Sequence, residues 1–86
     1  MFYMVVEKFK DAPEIYRRFD EKGRMMPEGL NYVSSWIDTE VKQCFQLMET
    51  EDVTLFDEWI ANWKDLADFE IIPVITSAEA REKITI

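Results

Sequence analysis

A carboxyl group interrupts the first apolar run of the chain, and a carboxyl in apolar surroundings is a candidate acid–base group. Glu7 lies within Phe2 to Phe9, where most neighbours are aromatic, aliphatic or Met. Burial in an apolar cavity raises the pKa of a carboxyl and suits it to abstract a proton. Carboxylates are almost never fully buried unpaired, so pairing with Arg24, or exposure to solvent, is an interpretation with at least equal support.

Aromatic and polar side chains between Leu30 and Glu49 form a second candidate set. Two strand-like runs flank a short polar turn there, which predicts a β-hairpin. With Trp36 opposite Cys44 and Tyr32 opposite Met48, one hairpin face gathers large rings, sulfur atoms and polar groups, a mixture typical of a small-molecule pocket. The candidate ligand-binding residues are therefore Glu7, Arg24, Tyr32, Ser34, Trp36, Gln46 and Met48.

Structural roles compete with ligand binding at the hairpin positions. Tyr32 and Trp36 could stack on a flat aromatic substrate, but aromatic residues are enriched at protein interfaces, and packing is the favoured interpretation. Ser34 and Gln46, opposite each other in this register, could bind a polar ligand atom or bond to each other across the strands. No residue of the set can be assigned a catalytic role from its type and spacing alone.

The absence of histidine excludes many catalytic and metal-binding sites. Ser-His and Cys-His nucleophile pairs, a His-ligated haem and the usual zinc sites all need it, and no EF-hand-like spacing occurs. We therefore predict no cofactor and no metal. Cys44 is the single cysteine, so no intramolecular disulfide forms, and without a His or second Cys partner it is better explained as a buried structural thiol.

Length and charge limit the class of protein. Eighty-six residues, of which 48% are hydrophobic, make one domain with a marginal core of its own. The net charge of −8 disfavours binding to nucleic acid or to an anionic membrane surface. The N-terminal apolar run lacks a basic region and is too short for a signal sequence, and no stretch approaches the ~20 apolar residues of a membrane helix. We expect a cytoplasmic protein.

Hydrophobic periodicity predicts a β-α-β-β-α-β order of elements. Asp11 is expected to cap a first helix that ends at Gly23, and Glu51 or Asp52 to cap a second that runs to about Lys64. This order predicts the ferredoxin-like α+β fold, a four-stranded antiparallel sheet with two helices on one face.

The end of the chain is predicted to lie apart from this domain. The last strand, Phe69 to Ile75, contains Pro73, which predicts an edge position or a bulge because proline cannot donate to a ladder. The domain then covers residues 1–76. Residues 77–86 are expected to form a short helix capped by Ser77 and an apolar tail.

Two helices can cover only one face of such a sheet. In the hairpin register above, Val33, Ile37, Phe45 and Leu47 are expected to face the helices, and the candidate ligand residues of the hairpin to face away. An apolar face of this size rarely stays in water, so we expect a second copy of the chain to cover it, with a cavity between the two sheets. The predicted partners are therefore the chain itself, as a homodimer, and a small molecule.

Four segments of the sequence resemble a known family. They are Met-Phe-Tyr-Met-Val-Val-Glu-Lys-Phe at 1–9, Gly-Arg-Met-Met-Pro-Glu-Gly-Leu-Asn-Tyr-Val-Ser-Ser-Trp at 23–36, Cys-Phe-Gln-Leu-Met-Glu at 44–49 and Trp-Lys-Asp-Leu-Ala-Asp-Phe-Glu-Ile-Ile-Pro-Val at 63–74. The resemblance covers nearly the whole chain and is to DUF3303, a family of small bacterial proteins of unknown function. It implies the dimeric α/β-barrel superfamily, in which two ferredoxin-like subunits pack sheet to sheet. Relatives by fold include cofactor-independent monooxygenases, muconolactone-isomerase-like enzymes and haem-degrading enzymes, but the family carries no catalytic residues to transfer, and fold does not define function.

Two functional hypotheses follow. In the first, the homodimer binds a small apolar or aromatic molecule between its sheets and acts as a cofactor-independent oxygenase or isomerase. In the second, the chain is a non-enzymatic dimerisation or regulatory module whose sheet interface is closed and dry. The presence of a cavity, and the effect of Trp36→Ala on ligand binding or on the dimer, would separate them.

Overall fold

The computed structural model describes residues 1–85, and its elements follow the predicted order. They are β1 (Phe2–Phe9), α1 (Ala12–Lys22), β2 (Asn31–Ile37), β3 (Gln43–Glu49), α2 (Leu55–Ile60), β4 (Ala67–Val74) and α3 (Ser77–Ile84). The strands form one sheet in the order β2-β3-β1-β4, in which all neighbours are antiparallel. This is the ferredoxin-like α+β fold expected from the sequence. None of the described helices has the length and apolar character needed to cross a bilayer.

Local sequence signals begin and end α1 where they were expected to. The carboxylate of Asp11 accepts a hydrogen bond from the backbone N–H of Glu14 at 3.3 Å, and Pro13 lies in the first turn, where its missing N–H leaves no bond unmade. Gly23 ends the helix with a φ of +68° and donates its N–H to the carbonyl of Phe19 at 2.7 Å. The positive φ turns the chain back toward the sheet.

α2 is shorter than predicted at both ends. Neither Glu51 nor Asp52 is its N-cap, because the carboxylate of Asp52 accepts bonds from the backbone N–H and the hydroxyl of Thr54, at 3.0 and 2.6 Å. This local turn competes with helix formation and delays the start of α2. The helix also stops before Lys64, and residues 61–66 form consecutive turns instead.

The C-terminal elements agree with the sequence except at one cap. Pro73 lies in β4, which is an edge strand as predicted. α3 is capped by Thr76 and not by Ser77: the hydroxyl of Thr76 accepts from the backbone N–H of Glu79 at 3.1 Å, and the Glu79 carboxylate accepts from the backbone N–H of Thr76 at 3.3 Å. The last residue of the predicted apolar tail, Ile86, lies outside the described residues.

An irregularity at Val33 corrects the predicted hairpin register. Tyr32 lies opposite Met48 as predicted, but beyond Val33 the ladder shifts, so Trp36 pairs with Phe45 and not with Cys44. One extra residue in a strand moves every later side chain to the other face of the sheet. Ser34 and Trp36 therefore lie on the face away from the helices, as predicted, but Tyr32, which the prediction placed beside them, lies on the helix side.

The prediction of which β3 side chains face the helices is also wrong. Cys44, Gln46 and Met48 lie under α1 and α2, with exposed fractions of 4%, 6% and 0%, whereas Phe45 and Leu47 lie on the opposite face. Burial of a polar side chain is tolerated when its hydrogen bonds are satisfied. Ile37, in contrast, lies on the helix side as predicted, opposite Cys44.

Aromatic residues fill the core between the sheet and the helices. Trp59 of α2 is 2% exposed and meets Phe69 of β4 edge to face, with ring centroids 5.3 Å apart. Phe56 of the same helix meets Tyr3 of β1 at 5.2 Å, also edge to face. Val5, which is fully buried, lies between these contacts in β1.

The other face of the sheet, called here the open face, carries a band of apolar side chains. Trp36 on it is 58% exposed and Phe2 is 43% exposed. α3 buries no side chain, and only its first turn borders this face. By strand alternation and pairing, the apolar residues of the open face are Phe2, Met4, Val6, Trp36, Phe45, Leu47, Ile72 and Val74.

Candidate small-molecule site

A cavity of about 200 Å³ lies between the sheet and the helices, at the side where α1 crosses β3 and β2. A cavity of about 150 Å³ is enough to hold a benzene ring, so this one suits a single ring with small substituents. Most of its wall is aromatic or aliphatic, and the polar exceptions are few. The lining residues are Glu7, Phe9, Ile15, Tyr16, Phe19, Arg24, Ser35, Ile37, Cys44, Gln46, Trp59 and Trp63.

Glu7 is the buried acid of this cavity. Its side chain is 8% exposed, and the amide nitrogen of Gln46 on the neighbouring strand donates to its Oε1. Burial raises the pKa of Glu7 from 4.5 to about 7, against the smaller opposing effects of the Gln46 hydrogen bond and the charge of Arg24. Its Oε2 has no hydrogen-bond partner within residues 1–85. Every fully buried polar side-chain atom in those residues has such a partner, so Oε2 is not fully buried and opens into the cavity.

Arg24 holds its guanidinium at the same cavity between two rings. The guanidinium carbon lies 3.8 Å from the ring centroid of Tyr32 and 5.0 Å from that of Phe19. The backbone of Arg24 is fixed as well, because its carbonyl accepts hydrogen bonds from the indole nitrogens of Trp59 and Trp63, both at 3.0 Å. Both ends of the residue are thus positioned by aromatic side chains.

The short segment that carries Arg24 has an unusual backbone. Met25, which follows it, has a φ of +57°, a region that side chains other than glycine occupy at some cost. The carbonyl of Met25 accepts a long hydrogen bond of 3.4 Å from the side-chain amide of Asn62. Strained residues persist where their surroundings hold them, and they are common at ligand sites.

Arg24 and Glu7 line one cavity without pairing. No ion pair joins Arg24 to any carboxylate in the described chain, whereas Arg17 pairs with Glu14 and Arg18 pairs with Asp65. The charge of Arg24 still lowers the pKa of Glu7, so the two groups are near each other without touching.

Cys44 and Tyr16 line the cavity as neutral groups. Burial, with a smaller contribution from the charge of Glu7, raises the pKa of the Cys44 thiol to about 12. Burial also raises the pKa of Tyr16. A thiol in this state is not nucleophilic at neutral pH, which agrees with the structural role expected for it.

The structure brings part of the predicted site together. Glu7, Arg24 and Gln46 line the cavity. The ring of Tyr32 contacts the Arg24 guanidinium. Met48 lies in the buried core, with an exposed fraction of 0%. Ser34 and Trp36 lie on the far face of the sheet, where the shift at Val33 places them.

Sequence reasoning missed several cavity residues, which the register shift at Val33 and the packing of the helices bring to the site. Ser35, and not Ser34, lines the cavity, and its hydroxyl bonds to that of Tyr32 at 2.7 Å. Phe19 and Trp63 belong to helix or turn segments with apolar spacing, which predicts core positions and gives no sign of a cavity beneath them. Asp and Glu side chains do not cluster with Cys44 into any group of three that could hold a metal ion within residues 1–85.

Fold and cavity together define the class: a ferredoxin-like α+β domain with a ring-sized pocket between its sheet and its helices and a buried carboxyl in the wall. The chain belongs to the DUF3303 family, a domain of unknown function, whose model matches residues 1–85. Neither the curated proteins nor the solved structures include a match to this chain.

Proposed function

We propose that this protein binds a small, largely apolar, ring-sized molecule beneath its helices and moves a proton on it with Glu7. The observation that carries this proposal is the Oε2 of Glu7, which opens into an apolar cavity on a carboxyl whose pKa is about 7. An acid–base group works best when its pKa is near the working pH. Proton abstraction is the step that an isomerase and a cofactor-independent oxygenase would share.

The cavity belongs to a single chain, which changes where the ligand is expected. The first hypothesis from the sequence placed the ligand between two sheets, beside Trp36. The cavity instead lies between the sheet and α1, and Trp36 is not among its lining residues. Ligand binding and dimerisation therefore use opposite faces of the sheet, and variants can separate the two.

A homodimer through the open face is the second part of the proposal. The open face carries eight apolar side chains across all four strands, and Trp36 among them is 58% exposed. Monomeric proteins rarely expose contiguous apolar patches beyond a few hundred Å². A second copy presents the same complementary face, as a two-fold dimer requires. The proposal includes a cytoplasmic location, where reducing conditions keep Cys44 a free thiol.

Phenol is a suitable probe of binding because one substituted ring matches the cavity. In two-dimensional ¹H–¹⁵N spectra, phenol should shift the indole N–H signals of Trp59 and Trp63, whereas the Trp36 signal should stay in place. Equal shifts of all three indole signals, or none at millimolar phenol, would contradict a cavity ligand.

Proton transfer can be tested with cyclohexanone in D₂O. We expect the protein to accelerate exchange of the α-protons for deuterium, with a rate that rises as pH passes about 7, where Glu7 becomes the base. Glu7→Gln should abolish the acceleration. Glu58→Gln makes the same change at an exposed position of α2, outside both the cavity and the open face, and should leave it intact. Equal exchange rates in wild type and Glu7→Gln would refute the role of Glu7.

The open face by itself favours a second candidate, a non-enzymatic dimerisation module. This function needs the apolar band and makes no use of Glu7. It predicts a stable dimer that neither responds to phenol nor exchanges the protons of cyclohexanone. The two experiments above therefore decide between the candidates.

A further inference from the structure

We infer that the ligand of this cavity is an anion, a ring-sized carboxylate whose oxygens lie between the guanidinium of Arg24 and the Oε2 of Glu7. The inference builds on the proposed function and names the ligand class of the same site. It follows from three features of the cavity wall: an arginine without a carboxylate partner, a buried acid with one free oxygen, and a single ring's worth of apolar space.

Arg24 supplies the positive charge. Its guanidinium carbon lies 3.8 Å from the ring centroid of Tyr32 and 5.0 Å from that of Phe19. The guanidinium N–H groups make no hydrogen bond within residues 1–85, so they are left for a ligand. The planar fork of donors matches two carboxylate oxygens. Arg18 makes such a paired contact within the protein: its two terminal nitrogens each donate to one oxygen of Asp65, both at 2.8 Å.

Glu7 supplies a hydrogen-bond donor when it is neutral. The amide of Gln46 donates to Oε1, which fixes that oxygen as an acceptor. The proton of the neutral carboxyl then belongs on Oε2, the oxygen that opens into the cavity. A carboxylate ligand accepts from both Arg24 and this O–H, whereas a cationic ligand would meet the guanidinium unfavourably and a neutral hydrocarbon would leave it unpaired.

The acidity of the whole protein does not oppose this assignment. The net charge is −8, but the charges on the outer surface are screened over about 8 Å at physiological salt. Inside the cavity the wall carries one guanidinium and one carboxyl that is neutral below about pH 7. The local balance in that range is positive, which selects an anion.

Benzoate and benzamide test the inference, because they have the same size and shape and differ in charge. Their dissociation constants are measured from the indole N–H shifts of Trp59 and Trp63 at about pH 6. We expect benzoate to bind at least about tenfold more tightly, as a charge-assisted hydrogen bond allows. Arg24→Gln should reduce the ratio to within about twofold, and Arg24→Lys should preserve part of it.

Arg81→Gln is the matched control for the loss of one positive charge. Arg81 lies exposed on α3, far from the lining residues of the cavity, so its loss should leave the benzoate preference unchanged. An unchanged preference in Arg24→Gln would overturn the inference. If Arg24→Gln shows disturbed indole spectra before any ligand is added, Arg24→Lys supplies the comparison, since it keeps a cation on the same backbone.

The two compounds also separate this inference from the proposed function. If benzamide binds as tightly as benzoate, the anion assignment fails while the ring-sized pocket stands. If neither compound shifts the indole signals, the pocket itself is refuted. Tight benzoate binding that disappears only in Arg24 variants supports both.

The dependence on pH gives a second measurement. The titratable groups that face Glu7 are Arg24, Tyr16 from α1 and Cys44 from β3, and no titratable side chain of α2 or β4 lines the cavity in the described chain. Between about pH 5.5 and 8.5 Glu7, whose pKa is about 7, passes from neutral to charged. Benzoate affinity should therefore fall several-fold over this range, while benzamide affinity stays constant. A benzoate affinity that rises with pH would overturn the inference.

Discussion

The carbonyl of Arg24 accepts a hydrogen bond from the indole nitrogen of Trp59 at 3.0 Å. Trp63 donates to the same oxygen at the same distance. Two residues of one helix-and-turn segment thus hold the backbone of the residue whose side chain enters the cavity. The apolar stripe that closes the core also positions the cation of the site.

Removal of the two indole donors should have non-additive effects on the free energy of unfolding. Trp59→Phe and Trp63→Phe each remove one bond and some ring area, and each should lower the free energy of unfolding by about 1–2 kcal/mol. In the double variant the Arg24 carbonyl is left without either indole donor, so the loss should exceed the sum of the two.

Urea unfolding followed by circular dichroism measures this coupling. Trp36→Phe is the matched control, since the Trp36 indole is 58% exposed and makes no such bond. Because Trp36 lies on the open face, all variants are compared in a Leu47→Asp background, which is expected to be monomeric, and there Trp36→Phe should change the free energy of unfolding by less than about 0.5 kcal/mol. Strictly additive losses for Trp59 and Trp63 would show that the shared carbonyl is unimportant.

Glu7 should make the protein less stable as pH rises. Its pKa is 4.5 when unfolded and about 7 when folded, so between these values the folded state holds a proton that the unfolded state has lost. The free energy of unfolding therefore falls by at most about 3 kcal/mol between about pH 4.5 and 7. Glu7 causes no further change above that range.

Glu7→Gln isolates that contribution. The amide cannot ionise, so this variant should lose the part of the pH dependence that lies between about pH 4.5 and 7 and should exceed the wild type in stability at about pH 8. Glu58→Gln, at an exposed position of α2, should keep the wild-type profile. Parallel stability profiles for wild type and Glu7→Gln would mean that folding does not shift the pKa of Glu7.

Patterns local to the chain predict the elements well. β1 follows from its aromatic and β-branched residues, α1 from a cap at Asp11 and a terminal Gly23, and the edge position of Pro73 from its missing N–H. All of these signals act within a few residues. The β-α-β-β-α-β order then restricts the topology to few choices. This much of the fold is encoded locally.

The site is less predictable because it depends on distant contacts. The register shift at Val33 has no glycine or proline to announce it, and it exchanges Ser34 for Ser35 at the cavity. The bond between Glu7 and Gln46 joins residues far apart in sequence and makes a polar face the buried one. Arg24 was predicted as a ligand residue, but its place between Tyr32 and Phe19 could only be seen in the structure.

A charge on the open face should prevent dimerisation. Leu47 lies on β3 in that face, next to Met4 of β1, and Leu47→Asp places a carboxylate where a second copy would pack. An unpaired charge in an apolar interface costs several kcal/mol, enough to dissociate a modest dimer.

Analytical ultracentrifugation reports the result directly. Wild type should sediment as a dimer of 10.3 kDa chains, and Leu47→Asp as a monomer. Val53→Asp is the control, because Val53 is 52% exposed in the turn before α2 and lies outside the open face. A monomeric wild type at micromolar concentration, or a dimer that survives Leu47→Asp, would refute the open face as the interface.

Cys44 should be unreactive in the folded protein. It is 4% exposed, and burial raises the pKa of its thiol to about 12, so little thiolate forms at pH 8. Labelling by iodoacetamide, followed by mass spectrometry, should be at least about a hundredfold slower in the native state than in urea. Benzoate in the cavity should slow it further, because Cys44 is part of the cavity wall. Fast native labelling would instead show a thiol that opens to solvent, and with it a cavity that admits water freely.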